Sequence, residues 1–453
     1  MAERTSPMLS RRAVLGGALG LIGASCVPVL SGCAASGPGA VVSPVGSIGL
    51  LSAGVPRQVV ALADAPDLAS VVAGMRALGA DLHRVDSSTS TNWTVSPLSL
   101  SVAFGMLRAG ARGQTGQQID AALGYPPARA AEGSPHAALN ALTATLVSSG
   151  PAPSTGPTPS TGDGPPPPPV LAIANGLFLD RGFAAAVRPA YLRLLATQYG
   201  AEAMSVRFAD RSATATINAW VAAQTRERIK VLFDSLDPAT VMVLANAVYL
   251  KATWASQFEP SSTVPGPFVR AAGGSVQVPL MRQVVTFASY ASTALWERVT
   301  LRYAGHDLAM RIVLPRGTAA DVPSLTSALT TALAPTTDDR LTSVDLTLPR
   351  WETSTSLPLI AAMQSLGVTD VFGAGADLTG IAPELFVSEA VHRANITVDE
   401  RGTEAAAVTG IAIAVSGMAA EPVTMTVDRP FAWAVVHEPT GTPVFAGHVV
   451  DPS

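Results

Sequence analysis

The residues of this chain that could do chemistry are few and poorly spaced for it. His437 opens the stretch HEPTG, which begins like a zinc-protease helix, but no second histidine follows at the spacing that would put two imidazoles on one helix face. The six histidines are scattered without metal-ligand spacing. The stretch GAGADLTG (373–380) lacks the glycine spacing of a dinucleotide turn, and neither lysine, Lys230 or Lys251, follows a glycine as a phosphate loop requires. No G-x-S-x-G elbow occurs. The sequence therefore predicts no metal, no cofactor and no hydrolytic centre of its own. Lys and Arg number 29 against 33 Asp and Glu, a formal charge of -4 without a basic run, so nucleic acid is not an expected partner.

The two cysteines both lie near the start. The N-terminus reads MAERTSPMLSRRAVLGGALGLIGASCVPVLSGC, a short basic region followed by an apolar run and small residues, which is the pattern of an export signal. Ser10-Arg11-Arg12 before Ala13-Val14-Leu15 resembles a twin-arginine transport signal, and Leu30-Ser31-Gly32-Cys33 is similar to the lipobox of bacterial lipoproteins. That likeness implies cleavage after residue 32, a lipid on Cys33, and an exported protein held at the outer face of the cell membrane or secreted. An uncleaved anchor is the alternative, marginal in length for a spanning helix. With Cys26 removed and Cys33 modified no internal disulfide can form, so the core alone must stabilise the fold.

With 453 residues, 48% of them hydrophobic and 14% charged, the chain has ample material for one large core. Residues 33–65, rich in Ala, Gly, Ser, Pro and Val, read as a flexible tether, and 66–453 as the folded domain. Residues 148–169 hold nine prolines and read as an exposed insertion within that domain. Helical spacing runs through 96–125, opened by Ser96-Pro97, and again through 214–236. Residues 241–250, 308–315, 344–351 and 443–450 read as strands, several of them apolar on both faces and hence central. Helices come mainly early and strands mainly late, which predicts an α+β fold.

One segment does not settle into this scheme. In VDERGTEAAAVTGIAIAVSGMAAEP, alternate residues from Thr403 through Ala405, Ala407, Thr409, Ile411 and Ile413 form the face of a buried strand. A permanent core strand is one reading, but Gly402, Gly410 and the SGMAAEP that follows weaken it. A segment able to exist as an exposed loop and as an inserted strand satisfies all of these features.

Residues 390–409, AVHRANITVDERGTEAAAVT, resemble the hinge of the serpins, and NWTVSPLSLSVAFGMLRAGARGQT (92–115), LANAVYLKATWASQF (244–258), LTLPRWE (346–352), LGVTDVF (366–372), ADLTGI (376–381) and 429–452 resemble further serpin motifs in family order. The resemblance covers about residues 66–452. It implies a serpin fold with three β-sheets, eight to nine helices and an exposed reactive-centre loop, in a monomer that is a protease inhibitor and not an enzyme. In that family a serine protease cleaves the loop, and the cut loop inserts as a central strand while still esterified to the enzyme.

Carried onto this chain, the likeness makes Glu400, Gly402, Thr403, Glu404, Ala405, Ala406, Ala407, Val408 and Thr409 the hinge. Arg350 and Trp254 fall at the breach, where Arg350 is expected to hold Glu400 in bidentate fashion. Ser99, Asn246 and His392 match the shutter, a polar cluster beneath the sheet. Counting from Glu400 gives Ser416-Gly417 as the scissile bond, and counting back from Pro430 gives Ala419-Ala420, with Met418-Ala419 between them. No Arg or Lys lies between Arg401 and Arg429, so the expected partner is a serine protease of small or apolar specificity, elastase-, chymotrypsin- or subtilisin-like. A non-inhibitory serpin, serving as a binding or structural protein of the envelope, is the alternative.

Overall fold

Two sheets organise the chain in the computed structural model, which describes residues 48–88, 90–125, 134–147, 169–305, 307–317, 322–336, 339–403 and 421–453. The first, of seven strands, runs in the order β1 (Gly49–Leu51), β4 (Ala203–Val206), β3 (Val170–Asp180), β5 (Met242–Thr253), β13 (Gly402–Thr403), β12 (Glu389–Asp399) and β11 (Trp351–Pro358). The second, of nine, runs β14 (Val423–Thr426), β10 (Arg340–Pro349), β7 (Ser275–Ser292), β8 (Trp296–Arg302), β9 (Leu308–Pro315), β15 (Phe431–His437), β16 (Thr442–Val449) and β2 (Trp93–Val95), with β6 (Val264–Val269) also on β7. The three sheets implied by the resemblance merge into two ladders because β7, 18 residues long, serves two of them. Its first residues pair with β6, while Ser289–Ser292 pair with β8.

Helices α1 (Leu68–Asp86), α2 (Pro97–Gly110), α3 (Gly113–Ala122) and α4 (Ser134–Leu146) precede most of the strands, and α5 (Pro189–Leu194), α6 (Ala213–Gln224), α7 (Val322–Leu333) and α8 (Leu359–Ser365) are set between them. The fold is α+β. β5 shows why its sequence is apolar on both faces: Leu244, Val248 and Leu250 enter the main core, while Val243, Ala245 and Ala247 pack outward under Ile217 and Val221 of α6. Ser96 caps α2 by accepting the Ser99 N–H at 3.1 Å, with Pro97 in the first turn where its missing N–H costs nothing.

Four expectations need correction. The helical stretch 96–125 is broken at Ala111 and Arg112, whose backbones are extended, and Arg108 reaches across the break to Asp120 at 2.6 Å. The helix expected to run to residue 236 stops at Gln224. Arg226 and Glu227 take left-handed φ values of 54° and 62°. Asn218 accepts the N–H groups of Leu232 and Phe233, so the chain folds back and buries Ile229, Leu232 and Phe233 on the same sheet face. The strand expected over 344–351 divides at Arg350, whose N–H goes to Pro279 O at 3.1 Å, so that β10 joins the second sheet and β11 the first.

The tether is also shorter than expected. β1 pairs with β4, Gly49 opposite Ser205 and Leu51 opposite Ala203, and Gln58 donates its N–H to Thr197 O at 2.9 Å. Small residues gave this piece the composition of a linker, but the open edge of β4 offers ladder groups that any extended backbone can satisfy. Cys33 and residues 148–168 lie outside the described residues.

Candidate functional site

Strands β5 and β12 run parallel and in direct register from Val243 opposite Glu389 to Tyr249 opposite Asn395. Above Tyr249 they part, and Gly402 and Thr403 fill the gap. Thr403 pairs antiparallel with Ala252 on one side and Val398 on the other. The reversal that makes this possible is an Asx turn in which Asp399 Oδ1 accepts the N–H groups of Arg401 at 2.8 Å and Gly402 at 3.2 Å. Gly402 has φ +143°, and a Cβ there would lie 2.1 Å from Ala252 O, so no other residue fits between the strands. The first residues of the expected hinge are thus already a strand of the first sheet. Glu404–Thr409 and the scissile candidates Ser416, Gly417, Met418 and Ala419 lie outside the described residues.

The expected breach residues surround this short strand. Trp254 is buried and stacks on Tyr303, centroids 4.4 Å apart, while its indole N–H donates to Asp399 O at 3.0 Å. Tyr303 completes the pocket through a 2.8 Å hydrogen bond with Thr403 Oγ1. Arg350 does reach Glu400, but not in the bidentate manner expected: Nε, at 2.7 Å, and Nη2 both donate to Oε1, which also accepts from Thr263. Burial alone would raise the Glu400 carboxyl, and donation from Arg350 and Thr263 outweighs it, holding the group below its ordinary value. Tyr303 and Thr263 carried no signal in the sequence, since each meets the hinge from more than 90 positions away.

The three shutter residues meet beneath the sheet. The Ser96 N–H donates to His392 Nε2 at 3.0 Å, which makes Nε2 the acceptor and places the ring proton on Nδ1, from where it is donated to Asn246 Oδ1. Asn246 Nδ2 donates to Ser99 Oγ at 2.8 Å, to Ser99 O at 3.0 Å and to Asn175 Oδ1. Asn246 lies on β5 and His392 on β12, directly opposite in register, so their bond spans the seam between the two strands. Ser96 and Asn175 belong to this cluster and were missed. Ser96 carries the signal of a helix cap alone, and nothing in the sequence singles out Asn175.

Burial pushes the His392 imidazole down to about 3. His83 is likewise pushed down to about 3, by burial and then by His448, whose Nδ1 accepts from His83 Nε2 at 2.8 Å. Burial also lowers His136 and His448 to about 4. Each of these rings binds fewer protons folded than unfolded between its depressed value and 6.5, so stability present above pH 6.5 is lost as pH falls. The melting point should therefore drop between pH 6.5 and 4, with the buried histidines acting in the same direction. A flat profile of melting temperature against pH across that range would show that these rings are not neutral in the fold. His437, the one histidine that opened a metal-like motif, bonds Thr440 Oγ1 at 2.8 Å in the turn joining β15 to β16.

A two-residue strand seated between β5 and β12, over a polar cluster that joins those two strands, defines the class of fold to which the chain belongs. The comparisons identify the class: the family model described as serpin (serine protease inhibitor) matches residues 75–452, and the chain belongs to the serpin family. It is 33% identical over 380 residues to Iripin-8 of Ixodes ricinus, covering 81% of this chain and 90% of that one. The leukocyte elastase inhibitor of Sus scrofa is 32% identical over 388 residues, covering 82% and 97%. Among solved structures, Serpin48 of the insect Tenebrio molitor aligns with a TM-score of 0.72 at 26% identity, covering 85% of this chain and 98% of that one.

Proposed function

We propose that this serpin inhibits serine endopeptidases as a suicide substrate. The observation that carries the reading is the seating of Gly402 and Thr403 between β5 and β12. A protease serine attacks the carbonyl carbon of a bond within 416–420, the peptide C–N bond breaks, the new amine carries off the C-terminal part of the loop, and the enzyme is left as an ester on the hinge side. Continuing the register in which Thr403 faces Ala252 would set Ala405 opposite Leu250 and Ile413 opposite Met242, the first residue of β5. The acylated residue would then pass beyond the end of the strand, carrying the enzyme from one end of the sheet to the other. After Glu404, the residues that must enter, Ala405, Ala406, Ala407 and Val408, carry no charge to desolvate.

The absence of Arg and Lys between Arg401 and Arg429 points to enzymes with small or apolar specificity pockets, and the leukocyte elastase inhibitor among the relatives supports that choice. Attachment to a membrane through a lipid on Cys33 is part of the same proposal. β1, by which the N-terminal chain joins the first sheet, lies level with the Met242 end of β5, opposite the hinge. The test is denaturing electrophoresis after mixing with elastase, chymotrypsin or subtilisin: a complex surviving denaturant is expected, with a released peptide whose mass fixes the bond. Complete cleavage by all three with active enzyme left over would overturn the assignment to these targets.

A further inference from the structure

Beside the shutter lies a cavity of about 550 Å³, in the size range of small-ligand sites. Its wall includes Asn175 on β3, Trp220 on α6, Thr143 on α4 and Tyr199, and its rim carries Arg57 and Glu202. Arg57 precedes the stretch matched by the family model. The arginine is fixed in place: Nη2 donates to Asn140 O at 2.8 Å and to Thr143 Oγ1 at 2.5 Å. Among the described residues Arg57 has no carboxylate partner, and Nε and Nη1 have no acceptor. Glu202, on the same cavity, has no cationic partner among them either. Burial disfavours the charge on Arg57, so an unpaired guanidinium there is a cost that a bound anion would remove.

One unpaired cation and one unpaired carboxylate facing the same cavity are complementary to a zwitterion, and the Trp220 ring offers a surface for an apolar body. A purely structural role for Arg57, as a clasp on α4, accounts for Nη2 and leaves Nε, Nη1 and Glu202 without explanation. Asn175 ties the cavity to the sheet. Its Oδ1 accepts from Asn246, the partner of His392, while its Nδ2 has no acceptor among the described residues.

We propose that this cavity binds a short peptide with free termini, its carboxylate at Arg57 and its ammonium at Glu202, and that the bound peptide restrains opening of the sheet through Asn175. An acceptor on the ligand would hold the Asn175 amide in the orientation that receives Asn246, keeping the latch between β5 and β12 closed. The class of reaction that supplies such a ligand is peptide hydrolysis, so the product of proteolysis would slow the consumption of the inhibitor. This second half rests on the proposed inhibitory function; the binding half does not.

The test is isothermal titration of the full chain with the dipeptide Ala-Phe and with its N-acetylated, C-amidated form. Saturable one-site binding of the first, at least ~10-fold tighter than the second, is expected. Arg57→Gln and Glu202→Gln should each weaken it at least ~10-fold, and Gln224→Trp, which crowds the cavity from its wall and keeps both charges, should weaken it at least as much. No binding, equal binding of the capped form, or full binding to Gln224→Trp overturns the site. At saturating Ala-Phe the rate of covalent-complex formation should fall several-fold in the wild-type chain and stay unchanged in Gln224→Trp. An unchanged rate in a chain that binds the peptide overturns the coupling. If no protease is trapped at all, the titration still decides the site, and it is the inhibitory reading that fails.

Discussion

On the proposed mechanism, replacing Thr403 with arginine should leave a chain that serine proteases cleave as a substrate and that no longer traps them. Thr403 is fully buried, its hydroxyl bonded to Tyr303 and its backbone paired on both sides. Among the described residues no carboxylate is bonded to Thr403, and an uncompensated buried charge there costs several kcal/mol. Each 1.4 kcal/mol added to the barrier slows insertion tenfold, so a slowing of at least ~100-fold is expected. Hydrolysis of the acyl-enzyme is untouched by the change and should win. The predicted result with elastase is quantitative loop cleavage, active enzyme at the end and less than about a tenth of the wild-type covalent complex. Wild-type complex yields from Thr403→Arg would show that insertion does not proceed through the gap that Gly402 and Thr403 occupy.

The second large effect is expected at Asn246. Its amide is the only group among the described residues that joins His392 on β12 to Ser99 on α2 and Asn175 on β3. Asn246→Leu keeps the branching of the side chain at Cγ and removes both the acceptor and the donor. The His392 Nδ1–H, the Ser99 hydroxyl and the Asn175 carbonyl would be stranded in a dry environment, where each unsatisfied group costs about 1–3 kcal/mol. A loss of about 3–5 kcal/mol in urea unfolding is predicted, since some partners can turn to other groups. A change below about 1 kcal/mol would mean that the latch contributes nothing to keeping the seam closed.

Much of this architecture was legible before the coordinates. β5 and β9 lie close to where the sequence placed them, because strands buried on both faces write their environment into uninterrupted apolar runs. Ser96-Pro97 marked the start of α2 through local capping chemistry. The hinge, breach and shutter positions came from resemblance to a family, and the coordinates bring Glu400 to Arg350, Trp254 to the turn at Asp399, and Ser99, Asn246 and His392 to one another. What could not be read depends on distant partners. Arg350 ends one strand and starts another because two sheets compete for its neighbours, and nothing in LTLPRWE records that competition. Residues 49–51 look like linker and become an edge strand only because β4 leaves an edge open. The two-residue strand β13 is too short for any periodicity, and its place is fixed by Asp399, Ala252 and Tyr303 together.

The claim on which the functional account stands is that the first sheet can take in the rest of the loop between β5 and β12. The melting curve of the protein after a single cut within residues 411–420 tests it most directly. Insertion would replace the parallel pairing of Val243–Tyr249 with Glu389–Asn395 by two antiparallel ladders on a new central strand and bury the β-branched residues Ile411 and Ile413. The account predicts that the cut protein melts more than about 10 °C above the intact one. A cut protein that melts at the temperature of the intact chain, with its loop still open to further proteolysis, would contradict it.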